Sequence, residues 1–279
     1  MKKFSFGYGI SKFYPIKIIM KKFESNFKSD YAIVQGSKMF LDPGDSLDLS
    51  INGVYGELDT KIIREEIHEG DIVIDVGANI GYYTLIFAQL VGRSGKVIAV
   101  VFAFEPEPKN FEILKKNIKI NNYQNIIAEQ KIVSDKSGIV KLFIAEHGIV
   151  GHRINQQKSS QKFIEVESII LDNYIKKLNL DNKINFIKID VEGSEPKVLE
   201  GTKEIIQKSN QLKIFTEFNR EAVEEYGIEP KEMIDLFYRN GFKIYLPNYK
   251  ENKINLTNVN ELLTSKETLL ENINLLCKK

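Results

Sequence analysis

A short, largely β-branched run, Ile72–Val76, carries one carboxylate at Asp75, enters a turn with glycines at 77 and 81, and leads into the apolar segment Tyr82–Val91. No other stretch restricts the fold so tightly. A buried strand, a glycine turn and a helix start make up the local unit of a parallel α/β sheet. Glycines let backbone approach closely, and the N–H groups exposed at a helix start meet polar ligand atoms. The spacing Asp75-x-Gly77-x-Asn79-x-Gly81 is not the G-x-G-x-x-G of a dinucleotide site, and the chain holds no G-x-x-x-x-G-K-[ST] phosphate loop. Two readings stay open on these residues: a cradle for a nucleotide-like ligand that has no pyrophosphate, and a tight connection that binds nothing.

The rest of the chain repeats the unit. Helices are expected over 60–68, 82–91, 109–120, 172–178, 195–208 and 230–240. Strands are expected over 72–76, up to Phe104, and over 126–133, 184–191, 212–218, 242–247 and 273–277. Such alternation predicts a doubly wound, seven-stranded, mostly parallel α/β sheet. Two short strands with a turn at Gln35-Gly36-Ser37 are expected before it, followed by a break at Asp42-Pro43-Gly44-Asp45. We therefore divide the chain into a helical and stranded extension, 1–50, and a main domain, 51–279. Region 137–165, strand-like over 140–145 and then rich in Gln, Lys and Ser, interrupts the alternation. It is either a substrate-facing insertion or an irregular surface excursion.

Composition narrows the partners. With 39 basic and 38 acidic residues the net charge is +1, so bulk charge does not point to nucleic acid. A single cysteine, Cys277, excludes an internal disulfide and a multi-cysteine metal site, and His68, His147 and His152 are scattered. No apolar run approaches the ~20 residues of a membrane helix, and no secretory cleavage pattern is visible. A cytoplasmic setting is expected. Residues 1–28 hold seven lysines against one acid, Glu24, interleaved with aromatics such as Phe4, Tyr8, Phe13 and Phe23. Peripheral contact with anionic lipid, RNA or an acidic partner is one reading of this segment. A helix with its aromatics packed inward is the simpler one.

In a doubly wound sheet, ligands bind beyond the carboxyl ends of the strands. Polar clusters fall at five such ends. Asp75 and the turn with Gly77, Ala78, Asn79 and Gly81 close the first. The acid-x-G-x-x-x-G form is the one met in sites for S-adenosylmethionine (SAM), a ligand without pyrophosphate. Glu105-Pro106 closes the second, where an acid accepts hydrogen bonds from ribose hydroxyls, and Ser134-Asp135 closes the third, where a polar pair suits an adenine amino group. Asp190 and Glu192 close the fourth, and Glu217 with Asn219 the fifth.

One spacing is unusual. Glu105 follows Gly77 by 28 residues, against ~20 in the related dinucleotide fold. Within 96–104, Val97-Ile98-Ala99-Val100 and Val101-Phe102-Ala103-Phe104 look like a doubled tetrapeptide. Either the strand starts early, a bulge absorbs the excess, or Glu105 is displaced.

The fourth strand holds the best candidate for the reaction centre. Alternation puts Ile187 and Ile189 on one face and Lys188, Asp190 and Glu192 on the other. Three ionisable groups on one face of a buried strand imply a chemical task or mutual pairing. The structural alternative is a Lys188–Glu192 ion pair, with Asp190 or Ser194 capping the helix that begins near Glu195-Pro196.

Taken together, the motif over 75–81, Phe104-Glu105-Pro106-Glu107-Pro108, and Lys188-Ile189-Asp190-Val191-Glu192-Gly193-Ser194-Glu195 with Leu199-Glu200-Gly201 resemble the FkbM-type family of SAM-dependent methyltransferases. The resemblance spans roughly residues 50–220 and includes the upstream Gly53-Val54-Tyr55-Gly56-Glu57 and Gly70-Asp71. It implies a Rossmann-like, class I methyltransferase domain that moves a methyl group from SAM to an oxygen of a small molecule or saccharide. It further implies that the 77–81 turn holds the methionine and ribose moieties, with Asp75 bracing the turn or a water. Glu105 would take the ribose hydroxyls and Asp135 the adenine. Asp190 or Glu192 would orient the acceptor and accept its proton, and Lys188 would tune them or pair with Glu192. The Tyr55-Gly56-Glu57 spacing departs from the Tyr-Glu of the family, so no role passes to Glu57. A divalent cation on Asp190, Glu217 and Asn219, as in some O-methyltransferases of this fold, is a secondary reading, because no spacing demands it. His147 and His152 are alternative bases ranked below the acids. Competing functions are an RNA methyltransferase that uses the basic N-terminus and a non-catalytic partner-binding module. An NAD-dependent oxidoreductase has the wrong glycine spacing.

Overall fold

The structure, a computed structural model, describes residues 31–92, 99–144, 162–180, 182–257 and 273–279. The basic segment 1–30, His147, His152 and most of the irregular region after 144 lie outside the described residues. A short hairpin opens the described chain, β1 (Ala32–Val34) with β2 (Ser37–Met39), turning at Gln35 and Gly36. Then come α1 (Leu49–Asn52) and α2 (Glu57–Glu66). The strand, turn and helix unit follows as β3 (Ile72–Val76) and α3 (Tyr82–Val91), with the bounds read from sequence. Next are β4 (Val100–Phe104), α4 (Pro108–Ile120) and β5 (Ile126–Glu129).

The expected strand over 126–133 breaks after Glu129. Ile132–Val133 forms β6 of a separate three-stranded sheet with β7 (Gly138–Phe143) and β8 (Phe163–Ile169), in the order β6-β8-β7. Beyond it lie α5 (Leu171–Lys177) and β9 (Phe186–Ile189). The helix expected over 195–208 is two, α6 (Glu195–Glu200) and α7 (Lys203–Lys208), parted at Gly201-Thr202. A Cβ on Gly201 would sit 2.1 Å from the Ser134 carbonyl oxygen, so the chain must be bare at this crossing. The remaining elements are β10 (Lys213–Phe218), α8 (Arg220–Glu225), α9 (Pro230–Arg239), β11 (Lys243–Asn248), β12 (Lys253–Thr257) and β13 (Ile273–Lys278).

The main sheet runs β12-β11-β13-β10-β9-β3-β4-β5. Among the described residues it has eight strands rather than the expected seven. The addition is β12, which folds back antiparallel on β11, with Ile244 opposite Thr257. Strands β5, β4, β3, β9 and β10 are parallel, and β13 enters antiparallel between β10 and β11. Strand order reverses at β3: the chain winds outward through β4 and β5, then returns to β9 on the other side. Such a switch point opens a crevice at the carboxyl ends.

Helices cover both faces, so the central strands are buried throughout. Ile72, Ile74 and Val76 join one core layer with Phe102, Phe104, Ile187 and Ile189. Val73 joins the other, with Phe87, Val101 and Phe186, and Val34, Met39 and Leu49 of the first fifty residues pack into it. Strand β4 pairs without interruption on β3, from Ile72 opposite Val100 to Val76 opposite Phe104. The surplus residues therefore precede Val100, no bulge is needed, and Glu105 keeps its place directly after the strand.

Candidate active site

The glycine turn is built mainly from main-chain contacts. Gly77 and Ala78 N–H groups both donate to the Phe104 carbonyl at 3.0 Å, tying the ends of β3 and β4. Gly77 has φ +85°, and a Cβ there would lie 1.9 Å from the Asp190 carbonyl oxygen. Glycine is required because two strand-end turns cross at this point. Asn79, also at positive φ (51°), donates its N–H to Glu105 Oε2 at 2.8 Å. Glu105 Oε1 accepts from the Glu107 N–H at 2.9 Å, and Glu107 in turn caps α4 by accepting from the Asn110 N–H. Burial pushes the Glu105 carboxyl up to about 7, against the pull of the Glu107 and Asn79 N–H donors.

At β9, side chains hold one another. Asp75 and Lys188 face each other in register across β3 and β9, on the side covered by α3. One Asp75 oxygen accepts from Thr84 Oγ1 at 2.6 Å. The other, fully buried, has no hydrogen-bond partner among the described residues. Such an acceptor is suited to a ligand N–H or an ordered water. Burial raises the Asp75 carboxyl, and the Lys188 charge works against that rise. Lys188 Nζ lies 2.9 Å from Asp190 Oδ2 and 4.8 Å from the Tyr83 ring centroid. Burial opposes its charge, yet Asp190 and Asp75 outweigh it and hold the ammonium above its ordinary range.

Two expectations are corrected here. Lys188 pairs with Asp190 rather than Glu192, because β9 ends at Ile189 and Glu192 sits at φ +55°, off the strand alternation. Neither Asp190 nor Ser194 supplies the helix cap by its side chain. The loop is satisfied by Glu195, whose Oε1 accepts from Val191 N–H (3.0 Å) and Gly193 N–H (3.2 Å). Burial pushes the Glu195 carboxyl up to about 7.

An open cleft of about 980 Å³ joins these ends. Asp75, Gly77, Ala78, Asn79, Glu105, Pro106, Lys188, Asp190 and Glu192 all line it. Gly81, Ser134 and Asp135 do not. Gly81 packs behind the turn, where its φ is +97° and a Cβ would meet Leu114 at 2.7 Å. Ser134 donates to Asp135 Oδ1 at 2.9 Å. Because the strand breaks after Glu129, the cleft wall at this end is Lys131, Ile132 and Val133 instead. Sequence reasoning passed over Tyr55, Tyr82, Tyr83 and Asn110, all lining residues. The tyrosines had a signal, since two open the helix after Gly81 and Tyr55 sits in the upstream glycine motif. Among the described residues no group of three or more His, Cys, Asp or Glu is arranged to hold a metal, and Asn219 Oδ1 accepts from the Ala222 N–H at 2.9 Å to cap α8.

Residues 75–244 match the methyltransferase FkbM domain family. The chain belongs to that family. This FkbM-family protein is a SAM-dependent methyltransferase. It is 29% identical over 190 residues to the hexuronic acid methyltransferase AglP of Haloferax volcanii, covering 67% of this chain and 70% of that one. It is 23% identical over 156 residues to Methyltransferase 1 of Beauveria bassiana, covering 48% and 59%. The crystal structure of Methyltransferase FkbM from Methylobacillus flagellatus KT aligns over 79% of this chain and 50% of its own, with TM-score 0.45 and 15% identity. No helix among the described residues of the methyltransferase is long and apolar enough to cross a membrane.

Proposed function

We propose that this methyltransferase moves the SAM methyl group to a hydroxyl oxygen of a saccharide. The observation that carries the reading is the single cleft in which the glycine turn and Glu105 sit together with the Lys188–Asp190 pair. Similarity to a relative named for hexuronic acid supports the acceptor class. SAM supplies a methyl group already activated on a sulfonium. The protein has to align the acceptor oxygen and take its proton.

In this reading Gly77, Ala78 and Asn79 hold the donor against main-chain groups, and Asp75 offers its second oxygen to a donor N–H. Glu105 accepts from two backbone N–H groups and the Asn110 side chain, and its remaining acceptor site is suited to a ribose hydroxyl beside Pro106. The adenine end is assigned to the wall at Lys131–Val133 rather than to Ser134 and Asp135. Asp190, with one oxygen held by Lys188, accepts the acceptor proton through the other, and Glu192 orients the acceptor. The acceptor O–H proton passes to Asp190 as the O–C bond forms and the C–S bond breaks. SAM is made inside cells, and on that ground we place the reaction in the cytoplasm.

The test combines calorimetric titration of SAM and S-adenosylhomocysteine with transfer of labelled methyl to a panel of saccharides. Asp190→Asn is expected to keep donor affinity and lose about 10²–10⁴-fold in kcat. Folded wild-type protein that binds neither ligand would overturn the donor assignment. Donor binding without transfer to any saccharide would overturn the acceptor class.

A further inference from the structure

Among the described residues four aromatic rings line the cleft, and three are spent. Tyr82, Tyr83 and Phe104 are 3%, 8% and 1% exposed, whereas Tyr55 is 42% exposed. The face of Tyr83 also carries the Lys188 ammonium. The Tyr55 ring meets Tyr82 and Tyr83 only at steep angles, 81° and 69°, and no ring stacks on it among the described residues.

Its backbone is held firmly. The Tyr55 N–H donates to Tyr82 Oη at 3.1 Å, and its carbonyl accepts from Thr60 Oγ1 at 2.8 Å. Thr60 Oγ1 and Tyr82 Oη bond each other at 3.0 Å, which closes the loop. Gly56 follows at φ +55°, where a Cβ would lie 3.0 Å from Asp59 Oδ2 and 3.2 Å from Tyr83 Oη. A pinned base under an accessible ring costs little ordering on binding.

We propose that Tyr55 is the platform for the acceptor sugar: its ring receives the C–H face of a pyranose and supplies binding energy, while Glu192 and Asp190 set the direction of the reacting hydroxyl. The proposal rests on the saccharide reading above. With the donor assigned to the glycine turn and Glu105, the part of the cleft left for the acceptor holds Tyr55, Lys188, Asp190 and Glu192. A pyranose presents an apolar C–H face and a rim of hydroxyls. An exposed aromatic beside carboxylates is matched to both. Burial and the Asp190 charge both act to keep the Tyr55 hydroxyl protonated, so it meets the sugar as a neutral phenol.

The chain contains no tryptophan, so Tyr55→Trp installs a single indole reporter at the platform. Methyl glycosides of hexoses and hexuronic acids serve as probes with the full chain. Tyr55→Ala and Tyr55→Leu are expected to raise acceptor KM about tenfold or more, with kcat and SAM affinity within about twofold. Tyr55→Phe and Tyr55→Trp keep KM within about threefold, and the indole emission shifts when an accepted glycoside is added to protein saturated with S-adenosylhomocysteine. An unchanged KM in Tyr55→Leu, or equal damage in Tyr55→Phe, overturns the platform, as does a loss of SAM affinity. A wild type that binds SAM but methylates no glycoside brings down the saccharide reading and the platform together. A methylated glycoside indifferent to Tyr55 brings down the platform alone.

Discussion

At the β3–β4 end of the cleft, main chain meets main chain or a single carboxylate. Gly77 and Ala78 share the Phe104 carbonyl, Gly77 lies against the Asp190 carbonyl, and Glu105 grips two backbone N–H groups. At the β9 end, side chains hold one another, through the Asp75, Lys188 and Asp190 charges and the Tyr83 ring. A site built from backbone tolerates almost no substitution, and that suits the unvarying donor that we propose for this end. A site built from side chains can change its chemistry without moving a strand, and that suits the acceptor that we propose for the other end.

Substitutions should separate the two ends. Gly77→Ala is expected to cost the most, about 4 kcal/mol or more, since its Cβ would fall 1.9 Å from the Asp190 carbonyl oxygen, far inside van der Waals contact, at an unfavourable φ. Urea denaturation measures it, and near-native stability would show the crossing to be far looser than drawn. For the same reason a bulky residue at Gly77 reports on folding rather than on donor binding, and Glu105→Gln is the cleaner probe of the donor end.

Lys188→Met should follow at about 3 kcal/mol, because it leaves the buried Asp75 carboxylate without its counter-charge. Asp190, with a side chain 41% exposed, is better screened. Adding Asp75→Asn should return part of that loss. If the double variant is no more stable than the single, the register contact between Asp75 and Lys188 carries no energy.

The third effect depends on pH. Glu105 and Glu195 are both held at about 7, above the ordinary carboxyl value of 4.5. Between those limits the folded chain binds more protons than the unfolded one. Stability should therefore fall as pH rises from about 4.5 to 7, by up to about 1.4 kcal/mol per pH unit for each group. Donor affinity should move the other way, rising as Glu105 ionises near pH 7. Glu105→Gln should flatten both profiles, whereas Glu195→Gln should flatten only stability. Smallest of all, Gly53→Ala should cost about 1 kcal/mol from its φ of +64° and leave donor affinity unchanged, as a Cβ there meets nothing within 4 Å.

Elements whose pattern is set within a dozen residues were legible. Helix α3 and strand β3 have the bounds expected of them, and α4, α9 and β13 begin or end within a residue or two. The misses occur where a distant contact outweighs local preference. The 126–133 run has β propensity throughout, but its second half pairs with β8 instead of the main sheet. The helix over 195–208 has good periodicity, but Gly201 has to pass the Ser134 carbonyl. The short α8 and the hairpin strand β12 carried too little pattern to be read. At the site, the lining positions of Asp75, Asn79, Glu105 and Asp190 follow from strand ends, while Ser134 and Asp135 lie off the cleft because Ile132 and Val133 before them pair with β8.

By itself the sequence determined the winding of the sheet, the glycine turn at the switch point and the row of acids along one edge. These depend on backbone rules with short range: alternation, glycine at positive φ, and the right-handed crossover. Tertiary structure alone decided that Lys188 faces Asp75 across β3 and β9, that Ile132 and Val133 leave the main sheet for β8, and that Tyr55, among the described tyrosines of the cleft, stays exposed. A charge or a ring takes the partner nearest in space, and Coulomb attraction and burial carry no memory of separation along the chain.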